Sequence, residues 1–304
     1  MELITGENDK NRRLDRILRK ALPDYPLPLI HKLLRQKKVL VDGKPAKPGD
    51  RLKTGMKILI QKEFTQRRKI TKDEKEINLS DLCVLWENQD LIAVNKPAGL
   101  SVHGENSLDS IVQLYLAGKL PPSLSFKPGP LHRLDKPSSG IVVFSSSLEG
   151  ARLFTSLMRE HKIKKTYLAI VEGKMEKEEI WQDFLERDKE KKKTSVAKTP
   201  GSGKNAVTKV TPVSSKNGFT LIKAEIVTGR THQIRAQASH RGHPLAGDVK
   251  YGGRNLIRSE ELGGRSDKRV DIFLHAWRLE FLEYFIEAPV PESWDRWRLL
   301  GVQF

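Results

Sequence analysis

Apolar residues are spaced in different ways along this 304-residue chain, and the changes of spacing divide it. In "RRLDRILRKAL" (12–22), Leu14, Ile17, Leu18 and Leu22 recur at helical intervals with Arg and Lys on the other face. That spacing predicts an amphipathic helix, which Pro23 stops. A second helix fits "PLPLIHKLLRQKK", where Leu29, Ile30, Leu33 and Leu34 form the stripe. The period then shortens to two: Val39 and Val41 read as a strand entering an Asp42-Gly43 turn, and "MKILI" near residue 60 completes a small unit. Residues 61–80 have few apolar positions and dense charge of both signs, the texture of a linker.

From residue 81 apolar runs dominate. "DLCVLWENQDLIAVNKPAGL" holds two of them around Asn88-Gln89-Asp90, a hairpin signal. "GIVVFSS", "TYLAIVEG" and "FTLIKAEIV" read as strands, and "SSLEGARLFTSLMREH" and "THQIRAQASHRG" as helices. Many hairpins with few βαβ alternations predict an α+β domain over 81–304 with a largely antiparallel sheet. Segments 187–204 and 252–271 are polar and rich in Gly, Lys and Arg, so they read as surface loops.

Charge narrows the partner. Lys and Arg number 55 against 38 Asp and Glu, a net +17, and residues 1–60 alone carry 15 against 7, a net +8. Such an excess points to a polyanion, nucleic acid first and a membrane surface second. The single cysteine, Cys83, excludes a disulfide framework and a Cys-rich metal site. The polar N-terminus and the lack of any apolar run near the ~20 residues that span a bilayer make a soluble, cytoplasmic protein the expectation.

Two apparent sites dissolve on inspection. "TPGSGKNAV" (199–207) lacks the early glycine of a phosphate loop, Lys198 standing there, and Asn205 stands where Ser or Thr would reach magnesium. His232, His240 and His243 have no carboxylate or thiol at ligand spacing, and Arg230, Arg235 and Arg241 crowd the same stretch. No metal is expected there. "LHRLDKPSSGIVVF" is different, because it sets His132, Arg133 and Asp135 at the mouth of a buried strand. A carboxylate buried there needs a cation, with Arg133 the local candidate and Arg230 the distant one. A helix starting near Thr231 would put His232 and Arg235 on one face with Arg230 at its mouth. On these residues alone, a catalytic carboxylate and a structural ion pair stand even.

Taken in order, the motifs become specific. Residues 12–60 resemble an S4 RNA-binding domain, although Leu27-Pro28 and Met56 stand where such domains usually carry a Ser-Arg pair and an Asp. "VNKPAGLSVHG", "LHRLDKPSSG", "KKTYLAIVEG", "GRTHQIRAQASHRGHPLAGDVKYGG" and "LHAWRLEF" resemble the RluA family of pseudouridine synthases over roughly 82–304, with Ser138 where the family usually has Thr. The S4-like unit in front resembles the branch that acts on ribosomal RNA.

The resemblance implies a catalytic domain with a mixed sheet and a central cleft. It implies Asp135 as nucleophile, Tyr167 as the ring against a flipped base, Arg230 as the partner of Asp135, and Arg133 as the residue that holds the RNA open. His132, His232 and Arg235 around the site, with Arg16, Lys32 and Arg35 on the S4-like helices, are the further RNA-contact candidates. Isomerising uridine needs no redox change and no hydrolysis, so no cofactor and no metal is expected. The expected partner of a monomeric enzyme is large-subunit ribosomal RNA, with transfer RNA as the competing substrate. The rival classes are a non-catalytic assembly factor on the same fold and an Asp/His hydrolase, for which no activated water or Ser nucleophile is apparent.

Overall fold

The computed structural model describes residues 1–61, 79, 82–197, 199, 202–254 and 272–295. The charged segment read as a linker lies outside these except for residues 61 and 79. In the N-terminal unit the helices are α1 (Leu14–Ala21) and α2 (Leu27–Arg35). The strands are β1 (Glu2–Ile4), β2 (Val39–Val41), β3 (Lys44–Pro45) and β4 (Lys57–Ile60), in the order β1-β4-β2-β3. The predicted stripes make its core: Leu14, Ile17, Leu18, Ile30, Leu33 and Leu34 pack on Val39, Ile58 and Ile60. Proline at the start of α2 suits a first turn whose N–H groups have no helical acceptor. Asp42 and Gly43 both take positive φ, as the tight hairpin turn between β2 and β3 requires.

The second unit is built on one 11-stranded sheet. Its strands are β5 (Cys83–Glu87), β6 (Leu91–Lys96), β7 (Gly129–Pro130), β8 (Ser139–Ser145), β9 (Lys164–Glu172), β10 (Glu179–Asp188), β11 (Lys193–Val196), β12 (Lys204–Lys216), β13 (Phe219–Ile226), β14 (Leu274–Phe281) and β15 (Tyr284–Glu287). The main path runs β11-β10-β12-β13-β9-β14-β8-β6-β5, with β15 on β14 and β7 on β8. Every pairing is antiparallel except β14 with β8, so the sheet is mixed and largely antiparallel as expected. Among the described residues three α-helices accompany it: α3 (Leu108–Leu116), α4 (Leu148–Arg159) and α5 (Gln233–His240).

The hairpin read at Asn88-Gln89-Asp90 forms between β5 and β6, where Asn88 Oδ1 accepts from the N–H groups of Asp90 and Leu91 at 2.9 and 2.8 Å. The reading of 187–204 as a loop needs correction, since β11 lies inside it. Lys193 to Val196 pair with β10, and buried Thr194 gives its N–H to Tyr251 Oη at 2.9 Å. The stretch is polar because only one face of this edge strand meets the core. Of 252–271, only 252–254 belong to the described residues.

The two units are joined by a buried carboxylate. Asp9 is fully buried. It accepts from Gly6 N, Leu124 N and Ser123 Oγ at 2.9 Å each, and from Ser125 Oγ. Arg12 Nη1 reaches the same loop, donating to Ser125 Oγ at 2.7 Å and Ser125 O at 3.0 Å. Asn8 Oδ1 accepts from Leu148 N at 2.7 Å, at the start of α4. A side chain at Gly6 would put its Cβ 1.7 Å from Pro122 O, so the close approach requires glycine. Burial works to raise the Asp9 pKa, but the bonds from Ser125, Leu124, Gly6 and Ser123 outweigh it and hold the carboxyl below its ordinary value.

Asp9→Ala strands several donors and should cost about 1–3 kcal/mol at this contact. Hydrogen exchange at the Leu124 amide should accelerate, and an unchanged rate would show that Asp9 does not hold the loop. Because the folded pKa is lowered, this stabilisation is present above the unfolded pKa of about 4 and fades as pH falls through the folded value.

Candidate active site

Asp135 sits in a turn closed by Ser138 N–H donating to Asp135 O at 3.1 Å, just before β8. The turn is anchored from below by a residue that sequence reasoning missed. Lys96, at the end of β6, is fully buried and donates to Pro97 O, Leu100 O and Lys136 O at 2.8, 2.9 and 3.2 Å. Desolvation lowers its pKa to about 8, and the charge of Asp135 works the other way. The available signal was a lysine closing the apolar run "LIAVNK", a costly place for an ammonium without partners. Gly140, at φ +110°, lets β8 pass β14: a Cβ there would fall 2.3 Å from Ala276 O.

The cation that meets Asp135 is Arg235. Its Nη1 lies 3.1 Å from Asp135 Oδ2, while Nε and Nη2 grip Asp248 at 2.6 and 2.8 Å. The guanidinium is 6% exposed and Asp248 1%, so this is a buried carboxylate–guanidinium–carboxylate chain. The expectation that Arg230 pairs with Asp135 is therefore corrected. Arg230 is exposed and donates from Nε to Asn205 O at 2.9 Å. The reason is local: α5 starts at Gln233 rather than Thr231, after a left-handed His232. That turn leaves Arg230 outside, while Arg235, in the first turn of α5, faces Asp135.

His232 lies between them. Its Nε2 is 3.6 Å from Asp135 Oδ2, beyond hydrogen-bond length, and its Nδ1 is 2.8 Å from Tyr251 Oη. Desolvation lowers its pKa more than Asp135 raises it, with Arg235 lowering it further, so the ring is neutral. Tyr167, on β9, lines the same cavity and is buried. Burial first, and Asp135 second, push its phenol pKa up, so it stays protonated.

His132 is committed to the scaffold: Nε2 accepts the Val143 N–H at 3.1 Å and the ring stacks on Phe154. Burial, then the charge of Lys165, lowers its pKa to about 3. Arg133 is exposed at the rim. The cavity is about 290 Å³, and its walls also include Ser138, whose buried hydroxyl has no hydrogen-bond partner among the described residues. Arg16, Lys32 and Arg35 are exposed on α1 and α2, remote in sequence from this cavity. Arg12, Arg16, Arg19 and Lys20 line a separate groove together with Tyr25.

The cavity thus brings a carboxylate paired with a guanidinium, a neutral phenol and a rim arginine together in a mixed sheet behind a basic two-helix unit, an arrangement that suits an RNA-modifying enzyme. Residues 90–240 match the RNA pseudouridylate synthase family and residues 12–58 the S4 domain. The chain is 32% identical to "Ribosomal large subunit pseudouridine synthase C" of Rickettsia bellii, over 97% of this chain and 99% of that one. It is 32% identical to "Ribosomal large subunit pseudouridine synthase D" of Neisseria meningitidis, over 95% of this chain and 78% of that one. Among solved structures, "Human RNA Pseudouridylate Synthase Domain Containing 4" shares the fold with a TM-score of 0.58 at 22% identity, covering 73% of this chain and 94% of that one. This chain belongs to the RNA pseudouridylate synthase family, and it carries an S4 domain in front.

The geometry separates the two arginines by experiment. Arg235→Ala leaves buried Asp248 and partly buried Asp135 without their cation, so activity should fall at least a hundredfold and stability by about 3–5 kcal/mol. Arg230→Ala should stay within tenfold of wild type and melt like it; the reverse ranking would restore Arg230 as the partner.

A second measurement tests His132. The folded protein keeps the ring neutral down to about 3, whereas the unfolded chain protonates it near 6.5. Stability should thus fall as pH drops below about 6.5, and His132→Gln should flatten that loss in urea-melt series.

Proposed function

We propose that this enzyme isomerises uridine to pseudouridine in large-subunit ribosomal RNA, with Asp135 as its nucleophile. The observation that carries the reading is the ion pair of Asp135 with Arg235 at the wall of a cavity that Tyr167 shares. The reaction breaks the C1′–N1 bond, turns the uracil and rejoins it through C5, with the C5 proton lost and N1 regaining one. A carboxylate can form the covalent intermediate and leave again, and a guanidinium beside it favours the ionised form that attacks. The neutral ring of Tyr167 suits a platform for the detached uracil.

A uridine within folded RNA is out of reach of such a cavity and must be extruded. Arg133, exposed at the rim, suits the residue that fills the gap, and the basic groove along α1 suits the phosphate backbone. Ribosomal RNA as substrate rests on the names of the relatives together with the net charge of +17.

Asp135→Asn keeps the shape and removes the nucleophile. Tritium release from RNA labelled at uracil C5 should become undetectable, with affinity for the RNA within a few-fold of wild type. Activity within tenfold of wild type would sink the assignment. Mapping pseudouridines in total RNA with and without the gene tests the substrate: sites should vanish from large-subunit ribosomal RNA, and a loss confined to transfer RNA would move the activity there.

A further inference from the structure

The charges that line the catalytic cavity do not balance. Asp135 and Asp248 share Arg235, and Lys96 spends its protons on three backbone carbonyls. Arg230 has a carbonyl partner and an exposed head, and Arg133 is exposed, so water serves both. Lys165 has neither advantage. It is half-buried in the cavity wall, and no carboxylate or carbonyl accepts from it among the described residues. Its ammonium has one weak acceptor, Met158 Sδ at 3.5 Å, and lies near Gly229, where a Cβ would be 3.9 Å from Nζ.

Its neighbour on β9 makes the contrast. Lys164, on the other face of the strand, reaches Glu225 at 3.7 Å and Glu280 at 3.4 Å. Carboxylates thus reach Lys164 on one side, whereas on the cavity side none among the described residues, Asp135 included, comes within ion-pair distance of Lys165. A half-buried ammonium without an anion is costly, and desolvation lowers the Lys165 pKa accordingly. Lys165 stands two residues from Tyr167 on one face of the strand, about 6.6 Å along it. That separation is within the dimensions of a single nucleotide.

We infer that Lys165 receives an anionic oxygen of the flipped-out nucleotide, either a phosphate flanking the target or the uracil that carries the electron pair of the broken C1′–N1 bond. The inference rests on the uridine-isomerising reading of the same cavity. Both sources share one chemistry, a negatively charged oxygen entering a wall that supplies a desolvated cation. They differ in when the charge arrives. A phosphate brings it on binding, whereas detached uracil develops it only during reaction.

The test uses the full-length protein and large-subunit ribosomal RNA transcribed with tritium at uracil C5. Affinity is measured at several salt concentrations, and the single-turnover rate at saturating RNA, for wild type, Lys165→Met and Lys165→Arg. Methionine keeps the length of the side chain and packs beside Met158; Lys165→Gln is the second neutral variant should it misfold. A phosphate contact predicts weaker binding, a log–log salt slope smaller by about 0.7–0.9, and an unchanged saturated rate. Contact with detached uracil predicts unchanged affinity and a saturated rate lower by about a hundredfold or more. In either case Lys165→Arg should recover most of the loss.

Neutral variants that match wild type within twofold in both measurements overturn the inference. So does a loss that arginine does not rescue and that tracks a lower melting temperature, since that marks a packing role. A wild-type protein that makes no pseudouridine in this RNA overturns the substrate reading instead, and the salt slope then still tests Lys165.

Discussion

One guanidinium organises the cavity that Asp135 and Tyr167 share. Arg235 grips Asp248 with two nitrogens and turns the third toward Asp135. The bidentate contact fixes the plane of the fork, and the fixed plane determines where the Asp135 carboxylate can sit. Removing two carboxylates from water is costly, and the pairing offsets that cost only if both oxygens and all donors are met. Asp248 is buried, and both of its carboxylate oxygens accept from the arginine. Its position, thirteen residues after Arg235, makes the loop beyond α5 part of the site.

The fold supplies this arrangement from three distant segments. The parallel contact of β14 with β8 and the antiparallel contact of β14 with β9 put β14 between the strand that follows the Asp135 turn and the strand that bears Tyr167. Gly140 permits the first of these contacts, because any side chain there would enter the β14 backbone. Lys96 then ties residues 97–100 to Lys136, so the turn bearing Asp135 is held from β6 as well. Asp135 therefore stands on a loop whose two flanks are both fastened to the sheet.

The basic unit at the N-terminus is joined to this scaffold by polar contacts, with Leu124 adding an apolar one. Asp9 collects donors from both units, and Asn8 meets the first N–H of α4. Both residues belong to "TGENDK", a stretch whose polarity would suit any exposed start of a chain. Three of the four donors to Asp9 lie more than a hundred residues away, so no local pattern marks it as buried.

What the sequence by itself determined was whatever depends on neighbours in the chain. The stripes at Leu14, Ile17 and Leu18 and at Ile30, Leu33 and Leu34 determined α1 and α2, since a helix brings residues three and four apart onto one face. The hairpin at Asn88 and the motif order from "VNKPAGL" to "LHAWRLEF" were equally legible, as was the chemical character of Asp135 and Tyr167. Strands β10 and β12 were not, because much of each faces solvent and their alternation is diluted by Lys, Glu and Asp. The choice between Arg230 and Arg235 belonged to the tertiary structure alone. Both are arginines of one motif, five positions apart, and the left-handed turn at His232 sends one to the surface and the other to Asp135. Charge type is a property of the residue, but ion pairing depends on distance, and distance across a hundred residues is decided only when the chain is folded.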